Sequence, residues 1–298
     1  EVITPSFTYI ATTEVVALLG LTPIFVDVDP ITYCMDVNSL KKAITPKTKA
    51  IVPVHLYGQA APMEEILAIA AAHNIYVIED NAQAIGCDYT FSNGTKKKTG
   101  TMGHIGATSF YPSKNLGAYG DGGAIFTNDD ALAQKMTMIA NHGQSKRYYH
   151  DVVGCNSRLD SIQAAVLNIK LKHLDAYNTA RQKVAAFYNN AFSTISQIVT
   201  PATADYTTHV FHQYTMQLKN VDRDAFIAHL AAQEVPCMIY YPVPGHLQKM
   251  FVHANDTNWV LPITDQLTPC VCSLPIHTEM DEEQLQHIAT AVQSFFIK

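Results

Sequence analysis

The stretch SFYPSKNLGAYGDGG, residues 109–123, places one lysine, Lys114, among small, aromatic and glycine residues, with no acidic residue until Asp121. The run ATSFYP at 107–112 is typical of a strand, so Lys114 is predicted to lie in the loop that follows it. Apolar surroundings disfavour a charged lysine, and a neutral amine can attack a carbonyl carbon. Taken alone, an exposed loop lysine is the commoner case. Both interpretations stay open at this point.

The sequence on either side of this stretch alternates short apolar runs with helical patterns, which is typical of βαβ units and a mostly parallel sheet. Strands are predicted at 22–30, 49–58, 75–80, 107–112 and 123–128, and helices at 36–44, 63–74 and 129–143. A long helix without Pro or Gly follows at 160–192, then strands at 209–218 and 236–244 around a helix at 222–233. We therefore predict an α/β fold with a large domain over 1–165, and a bridging helix with a small C-terminal α+β domain over 166–298.

The composition argues against a membrane protein, a nucleic-acid-binding protein and a protein with a cysteine-based zinc or redox site. The 298 residues are 48% hydrophobic, without an apolar run long enough for a membrane span, so a globular protein without a membrane partner is expected. The net charge of −6 argues against nucleic-acid binding. The six cysteines lack C-x-x-C spacing for zinc or redox chemistry, which favours reduced thiols in a cytoplasmic protein.

Polar residues at two further strand ends are candidates for a ligand site, because open α/β sheets bind ligands where their strands end. Asp80 ends the apolar run at 75–80, and a buried aspartate anion needs a cation or several donors. It either caps a following helix or binds a protonated ring nitrogen, and Gln83 then faces the same space. Ser109, at the end of its strand, is a candidate phosphate ligand.

Two other positions each allow a structural and a functional interpretation. Asn156 and Arg158 precede the long helix, where they either cap it and face solvent or bind an anion. Tyr9 follows the opening strand and either packs in the core or stacks on a flat ring. The GDGG run at 120–123 lacks the spacing of a dinucleotide fingerprint and the lysine of a P-loop.

Together these features resemble the DegT/DnrJ/EryC1/StrS family of sugar-nucleotide aminotransferases, which are pyridoxal-phosphate enzymes of fold type I, like aspartate aminotransferase. The resemblance rests on Asp80 at a strand end, on Ser109 and Lys114 five residues apart, and on Asn156 before a long helix. The matching segments run nearly from end to end: EVITPSFTYIAT, PVHLYGQ, VIEDNAQAIG, TSFYPSKNLGAYGDGGAIFTND, NHGQSKRYYH, NSRLDSIQAA and SLPIHTEM.

The resemblance implies a role for each candidate residue and pyridoxal 5'-phosphate as the cofactor. By this resemblance, Lys114 forms the Schiff base and Asp80 binds the pyridinium nitrogen of the cofactor. Gln83 contacts the ring oxygen of the cofactor, Ser109 binds its phosphate, and Tyr9 stacks on its ring. Asn156 is expected to reach the phosphate in the neighbouring subunit, so a homodimer with shared active sites follows.

The resemblance also implies the reaction, in which glutamate donates an amino group to a nucleotide-linked keto-sugar. Relatives that dehydrate sugars carry histidine at the lysine position, so Lys114 favours amination. The branch that the chain resembles most aminates UDP-2-acetamido-2-deoxy-3-oxo-glucuronate for surface polysaccharides such as the lipopolysaccharide O-antigen. That branch has a His-Tyr pair near the substrate where this chain has Tyr240 and Tyr241, which leaves Arg158, or Lys146 with Arg147, to bind the uronate carboxylate.

Three further expectations concern the completeness and activity of the chain. Family members carry roughly eighty residues before the opening motif, an ordinary fraction of a domain, so an amino-terminal part of the large domain is expected to be missing. A non-catalytic or regulatory homologue of the same fold is one alternative function. A nicotinamide-dependent sugar oxidoreductase is the other, and it rests on the α/β pattern alone.

Overall fold

The computed structural model describes residues 1–251 and 259–297. Its strands are β1 (Val2–Pro5), β2 (Pro23–Val26), β3 (Ala50–Ile51), β4 (Tyr76–Asp80), β5 (Asp88–Thr90), β6 (Lys96–Lys98), β7 (Ile105–Ser109), β8 (Gly123–Phe126), β9 (Gln144–Lys146), β10 (Tyr149–His150), β11 (Ile198–Val199), β12 (Tyr214–Leu218) and β13 (Val271–Leu274). Its α-helices are α1 (Ala11–Leu18), α2 (Val37–Ala43), α3 (Met63–His73), α4 (Asp130–Ala140), α5 (Ser161–Lys170), α6 (Leu174–Phe192), α7 (Arg223–Ala231), α8 (Pro262–Leu267) and α9 (Glu282–Phe296).

The main sheet has the strand order β2-β1-β3-β4-β7-β8. Its strands run parallel except β8, which pairs antiparallel with β7 at the edge, so the prediction of a mostly parallel sheet is confirmed. Asp80 ends β4 and pairs with Ala107 of β7, two residues before Ser109. Parallel pairing therefore brings the ends of β4 and β7, with their polar residues, to one edge of the sheet.

Local sequence signals account for where several of the helices begin. The Asp36 carboxylate caps α2 by accepting from the Ser39 N–H at 2.6 Å, and Asp129 caps α4 by accepting from the Leu132 N–H at 3.0 Å. On one face of the sheet, α2 and α3 bury Leu40 and Ile66 in the core. No helix within the described residues is both long and apolar enough to cross a membrane.

A second sheet, with the order β11-β12-β13, is antiparallel and carries α6, α7 and α9. Its core contains the fully buried Tyr188 of α6, Tyr214 of β12 and Phe226 of α7. These elements lie within 166–298, the range that we predicted as a bridging helix and a small α+β domain.

Several elements differ from the prediction, among them the strand expected at 209–218, which shortens to β12. The strand expected at 49–58 shortens to β3 and a 3-10 turn at Leu56–Gly58. The helix expected at 160–192 is interrupted by a 3-10 turn at Leu171–His173, because α5 packs beside the loop after residue 115 while α6 packs on the second sheet. The strand expected at 236–244 is wrong: this segment is extended with one bridge, between Met238 and Ser273, and its three prolines cannot donate to a ladder.

Gly58 closes the turn after β3 in a conformation that only glycine adopts easily, with φ +111°. A Cβ there would lie 2.9 Å from the backbone nitrogens of Phe211 and His212. We expect Gly58→Ala to lower the free energy of unfolding by about 3 kcal/mol or more, since strain and collision add. Gly20→Ala is the control, with φ +68° but open space around it, and should cost about 1 kcal/mol. Equal losses in urea unfolding would contradict the packing argument.

Candidate active site

Asp80 is held by both its backbone and its side chain. Its N–H donates to the Pro53 carbonyl at 2.9 Å, and its carbonyl accepts from the His55 N–H at 3.0 Å. Its carboxylate accepts from the Thr12 hydroxyl at 2.7 Å and from the Ala82 N–H at 3.0 Å. Residues 81–86 form turns, so the prediction that Asp80 caps a following helix is wrong. Its carboxylate is oriented by neighbours that leave it able to accept another donor.

Lys114 lies half-buried in the loop after β7. Its backbone N–H donates to the Tyr111 carbonyl at 2.9 Å. Its amine has no hydrogen bond or ion pair within 1–251 and 259–297. Burial lowers the pKa of Lys114, and the charge of Asp80 offsets this shift only in part. The alternative of an ordinary exposed lysine is therefore wrong, and the amine loses its proton more easily than a solvated one.

The loop that carries Lys114 is anchored on both sides. The next residue, Asn115, donates to the side chain of Asn178 and to the Val210 carbonyl, both at 2.8 Å. The Lys170 amine of α5 donates to the Gly117 carbonyl at 2.6 Å. A Cβ on Gly117 would lie only 2.3 Å from the Pro112 carbonyl oxygen, so the tight turn requires glycine. These contacts hold the lysine backbone against residues far along the chain.

Ser109 and Asp80 line a shared cavity of about 700 Å³. The Ser109 Oγ accepts from the Tyr111 N–H at 3.2 Å, which leaves its own O–H free to donate. Thr12 also lines this cavity, and most of the remaining lining residues are apolar, from α1, from the strands β1, β3, β4 and β7 and from residues next to them. Lys114 is not part of this lining. The Ser109 hydroxyl is therefore one of the few polar groups that open into it.

Gln83 is buried and uses both ends of its amide within the protein. Its Oε1 accepts from the Tyr57 N–H at 2.7 Å, and its Nε2 donates to the Tyr241 hydroxyl at 2.9 Å. The Tyr57 hydroxyl donates to the Tyr240 carbonyl, and the rings of Tyr241 and Tyr9 lie 5.8 Å apart between centroids. Burial raises the pKa of Tyr241. Gln83 keeps one N–H for a ligand, because a glutamine amide has two donors.

Asn156 and Arg158 are exposed, and among the described residues no hydrogen bond or ion pair joins either of them to Asp80 or Lys114. Asn156 forms a backbone bridge to Asn141. The hairpin β9–β10 before them is also exposed, and the Lys146 amine lies 3.9 Å from the centroid of the Tyr149 ring. The chain therefore assembles Asp80, Gln83, Ser109, Lys114, Tyr9 and Tyr241 in one region, and leaves the hairpin and its flanking residues on the surface.

Two residues of this region were missed in the sequence analysis. Thr12 binds the Asp80 carboxylate, yet threonine at a helix start has no sequence signal for that role. His212 is buried and its Nδ1 has no hydrogen-bond partner among the described residues. Burial lowers the pKa of His212 far below its usual range, and the charges of Lys114 and Arg181 add to the effect. A neutral imidazole therefore lies near the lysine.

The pKa of Lys114 has a consequence for stability. We expect Lys114→Met to raise the free energy of unfolding of the cofactor-free protein at neutral pH, and the gain to shrink as the pH rises towards 10.5, the ordinary lysine value. At pH values between the lowered pKa of Lys114 in the folded protein and the ordinary lysine pKa, the unfolded chain binds more protons than the folded one. The wild type therefore gains stability as the pH rises through this range. Urea unfolding across this range checks the result, and a gain independent of pH would contradict it.

Comparison with known proteins identifies close relatives. The chain is 47% identical over 293 residues to UDP-N-acetyl-3-dehydro-alpha-D-glucosamine 3-aminotransferase from Acidithiobacillus ferrooxidans, covering 98% of this chain and 77% of that protein. It is 46% identical over 292 residues to UDP-2-acetamido-2-deoxy-3-oxo-D-glucuronate aminotransferase from Pseudomonas aeruginosa, covering 98% and 78%. It is also 46% identical over 298 residues to a pleiotropic regulatory protein from Geobacillus stearothermophilus, covering 99% and 78%.

Solved structures share the fold. A DegT DnrJ EryC1 StrS aminotransferase from Brucella abortus matches with a TM-score of 0.92 and 41% identity, over 100% of this chain and 79% of that one. The NtdA protein of Bacillus subtilis, solved with bound cofactor PMP, matches with a TM-score of 0.89 and 30% identity, over 98% and 67%. These matches confirm the predicted fold type I architecture. The family profile for DegT/DnrJ/EryC1/StrS aminotransferases matches residues 1–293, and the chain therefore belongs to this family.

Proposed function

We propose that this chain transfers the amino group of glutamate to a nucleotide-linked 3-keto-sugar, with pyridoxal 5'-phosphate as its cofactor. The observation that carries the proposal is the half-buried amine of Lys114, which has no partner within 1–251 and 259–297 and whose pKa is influenced by the charge of the oriented Asp80 carboxylate. The aminotransferases of this family depend on pyridoxal phosphate, and the NtdA structure contains the aminated form of that cofactor. The alternative of a nicotinamide-dependent oxidoreductase has no support, because the family to which the chain belongs consists of aminotransferases.

The donor set of the site fits the cofactor. Pyridoxal phosphate needs an amine for its aldehyde, an anion for its protonated ring nitrogen and donors for its phosphate. Lys114 offers an amine without a partner among the described residues, Asp80 offers the anion, and Ser109 offers a free hydroxyl donor. Tyr9 is exposed over 56% of its surface and offers a ring face for stacking. Gln83 has one N–H left for the ring oxygen.

Each residue then has a physical task. The bound cofactor would supply an electron sink for the electron pair that a broken C–H bond leaves behind. Asp80 would keep the ring nitrogen protonated, because a carboxylate in a partly buried site attracts a nearby proton strongly. Lys114, once released by the amino donor, would take a proton from the donor carbon that carries the amine and deliver it to the aldehyde carbon of the cofactor, on the other side of the amine nitrogen. Burial lowers the pKa of Lys114, which makes the neutral amine that acts as a base more accessible.

The identity of the sugar can be narrowed to two candidates. The relatives from A. ferrooxidans and P. aeruginosa are named for UDP-linked 3-keto sugars, one a glucosamine and the other a glucuronate. A uronate carries a carboxylate that needs a cation. We propose that Arg158, or Lys146 with Arg147, supplies it, and that Tyr240 and Tyr241 contact the sugar. We propose that the product of this chain enters surface-polysaccharide biosynthesis, such as that of the O-antigen.

These cationic residues and Asn156 are exposed in this chain, and within its described part none of them is bonded to Asp80. We therefore propose a homodimer in which this surface meets the partner's site, and Asn156 reaches the phosphate there. A cytoplasmic location stays a prediction, based on the six free cysteines.

The proposal is tested by absorbance spectra of the purified protein with pyridoxal phosphate, before and after adding glutamate. We expect a visible band from the lysine-bound cofactor that glutamate bleaches, and recovery of the band on adding one of the two keto-sugar nucleotides. Comparing the two sugars decides between glucosamine and glucuronate. A folded protein that forms no band, or whose band glutamate does not change, would favour the regulatory homologue instead.

A further inference from the structure

Glu79, the residue before Asp80, is a buried carboxylate on the opposite side of β4. Its side chain is 0% exposed, and so is that of His55, whose Nε2 lies 2.8 Å from one Glu79 oxygen. The same oxygen accepts from the Gly100 N–H at 2.7 Å, and the other accepts from the N–H groups of Met102 and Gly103, each at 2.6 Å. Four donors therefore converge on one carboxylate.

The hydrogen bonds assign the charge of this pair. His55 Nδ1 accepts from the Ala61 N–H at 3.0 Å, so the ring carries its proton on Nε2 and is neutral. Burial alone would raise the pKa of Glu79, but the hydrogen bonds from His55, Gly103 and Gly100 lower it below its ordinary value. Glu79 is thus an anion satisfied entirely by donors, and a neutral side chain there would leave some of them unmatched.

The backbone of Asp80 is held by His55 and Pro53. The His55 N–H donates to the Asp80 carbonyl, and the Asp80 N–H donates to the Pro53 carbonyl two residues earlier. The ring of His55 is in turn fixed by Glu79, and Glu79 ties the end of β4 to the loop at 100–103. Side chains alternate along a strand, so Glu79 stabilises one face while Asp80 faces the other.

We propose that Glu79 and His55 are positioning residues that fix the orientation of the Asp80 carboxylate towards Lys114 and the cofactor ring. This inference rests on the proposed function for its catalytic meaning. Without the Glu79 carboxylate, three backbone donors and the His55 imidazole lose their acceptor, and the end of β4 shifts to satisfy them. Shifts near 1 Å in such positions cost roughly 10²-fold in rate.

The first test needs no cofactor. The pH at which Lys114 becomes half-labelled by acetic anhydride is measured by mass spectrometry of the peptide that contains it. Asp80 raises the pKa of Lys114, so Asp80→Asn should lower this pH. If Glu79 acts through Asp80, Glu79→Gln should lower it too, and the double variant should show no further fall. Additive shifts, or an unchanged pH in Glu79→Gln, would overturn the inference.

Matched variants separate positioning from general destabilisation. Asp27 is also a buried carboxylate, accepting from Ile263, Thr264 and Val28, but it follows β2, which β1 and β3 separate from β4. Asp27→Asn should leave the labelling pH of Lys114 at the wild-type value even where it lowers stability. If Glu79→Gln fails to fold, two variants of His55 take its place in the test. His55→Leu removes the side-chain donor to Glu79 and should lower the half-labelling pH of Lys114. His55→Gln keeps a donor and should leave this pH near the wild-type value.

In a second test, equilibrium dialysis measures the affinity of each variant for pyridoxal phosphate. We expect Glu79→Gln to weaken binding roughly 10- to 100-fold, and to add little in the Asp80→Asn background. Wild-type protein that binds no pyridoxal phosphate would remove the proposed function, while the labelling result would still decide whether Glu79 positions Asp80.

Discussion

Lys114→Ala should abolish turnover, with a loss of at least about 10³-fold in kcat for glutamate-dependent amination. The amine has two tasks in the proposed cycle, as the bond to the cofactor and as the base at the reacting carbon, and alanine performs neither. The visible band of the lysine-bound cofactor should disappear as well. Kinetics and absorbance on the same preparation check both results.

The control for this variant is Lys41→Ala, which removes an exposed lysine of α2. Surface substitutions of this kind change rates and stabilities little, so activity should stay within about twofold of the wild type. Circular dichroism should show the Lys114→Ala variant folded, because the loop is anchored by Asn115 and Gly117 rather than by the lysine amine. Full activity without Lys114 would remove the proposed chemistry.

Asp80→Asn should give the second largest loss, roughly 10²- to 10³-fold in kcat. Asparagine has the same shape. Its Oδ1 can still accept from the Ala82 N–H, and its Nδ2 can donate to the Thr12 oxygen once that hydroxyl turns, so the fold should be retained. It carries no charge, and therefore cannot hold the proton on the cofactor ring nitrogen. The measurement is kcat together with the affinity for pyridoxal phosphate, which should also weaken.

A surface carboxylate serves as the comparison. Asp88 pairs with Lys98 at 2.8 Å across the β5–β6 hairpin, and both side chains are partly exposed to solvent. Asp88→Asn should change kcat by less than about twofold, because exposed ion pairs contribute little. If Asp80→Asn behaved like Asp88→Asn, Asp80 would be an ordinary structural carboxylate, and the cofactor would need another anion.

Local signals made much of this chain predictable. Apolar runs and helical periodicity indicated the strands and helices of the main sheet, because burial of one face follows from residue spacing. Aspartates at helix starts, such as Asp36 and Asp129, marked where helices begin. The positions of Asp80, Ser109 and Lys114 at strand ends followed from the same pattern, since parallel strands end at one edge of the sheet.

The tertiary structure alone decided which distant groups meet. Thr12 binds Asp80 across 68 residues, and Gln83 reaches Tyr241 across 158. Residues 236–244 have strand-like composition but lack a neighbouring strand along their length, so they stay extended with one bridge. The sequence by itself determined the layers and the candidate chemistry, because these depend on near neighbours. The orientation of Asp80, the burial of Lys114 and the Glu79–His55 pair depend on contacts between remote segments, which only the folded chain brings together.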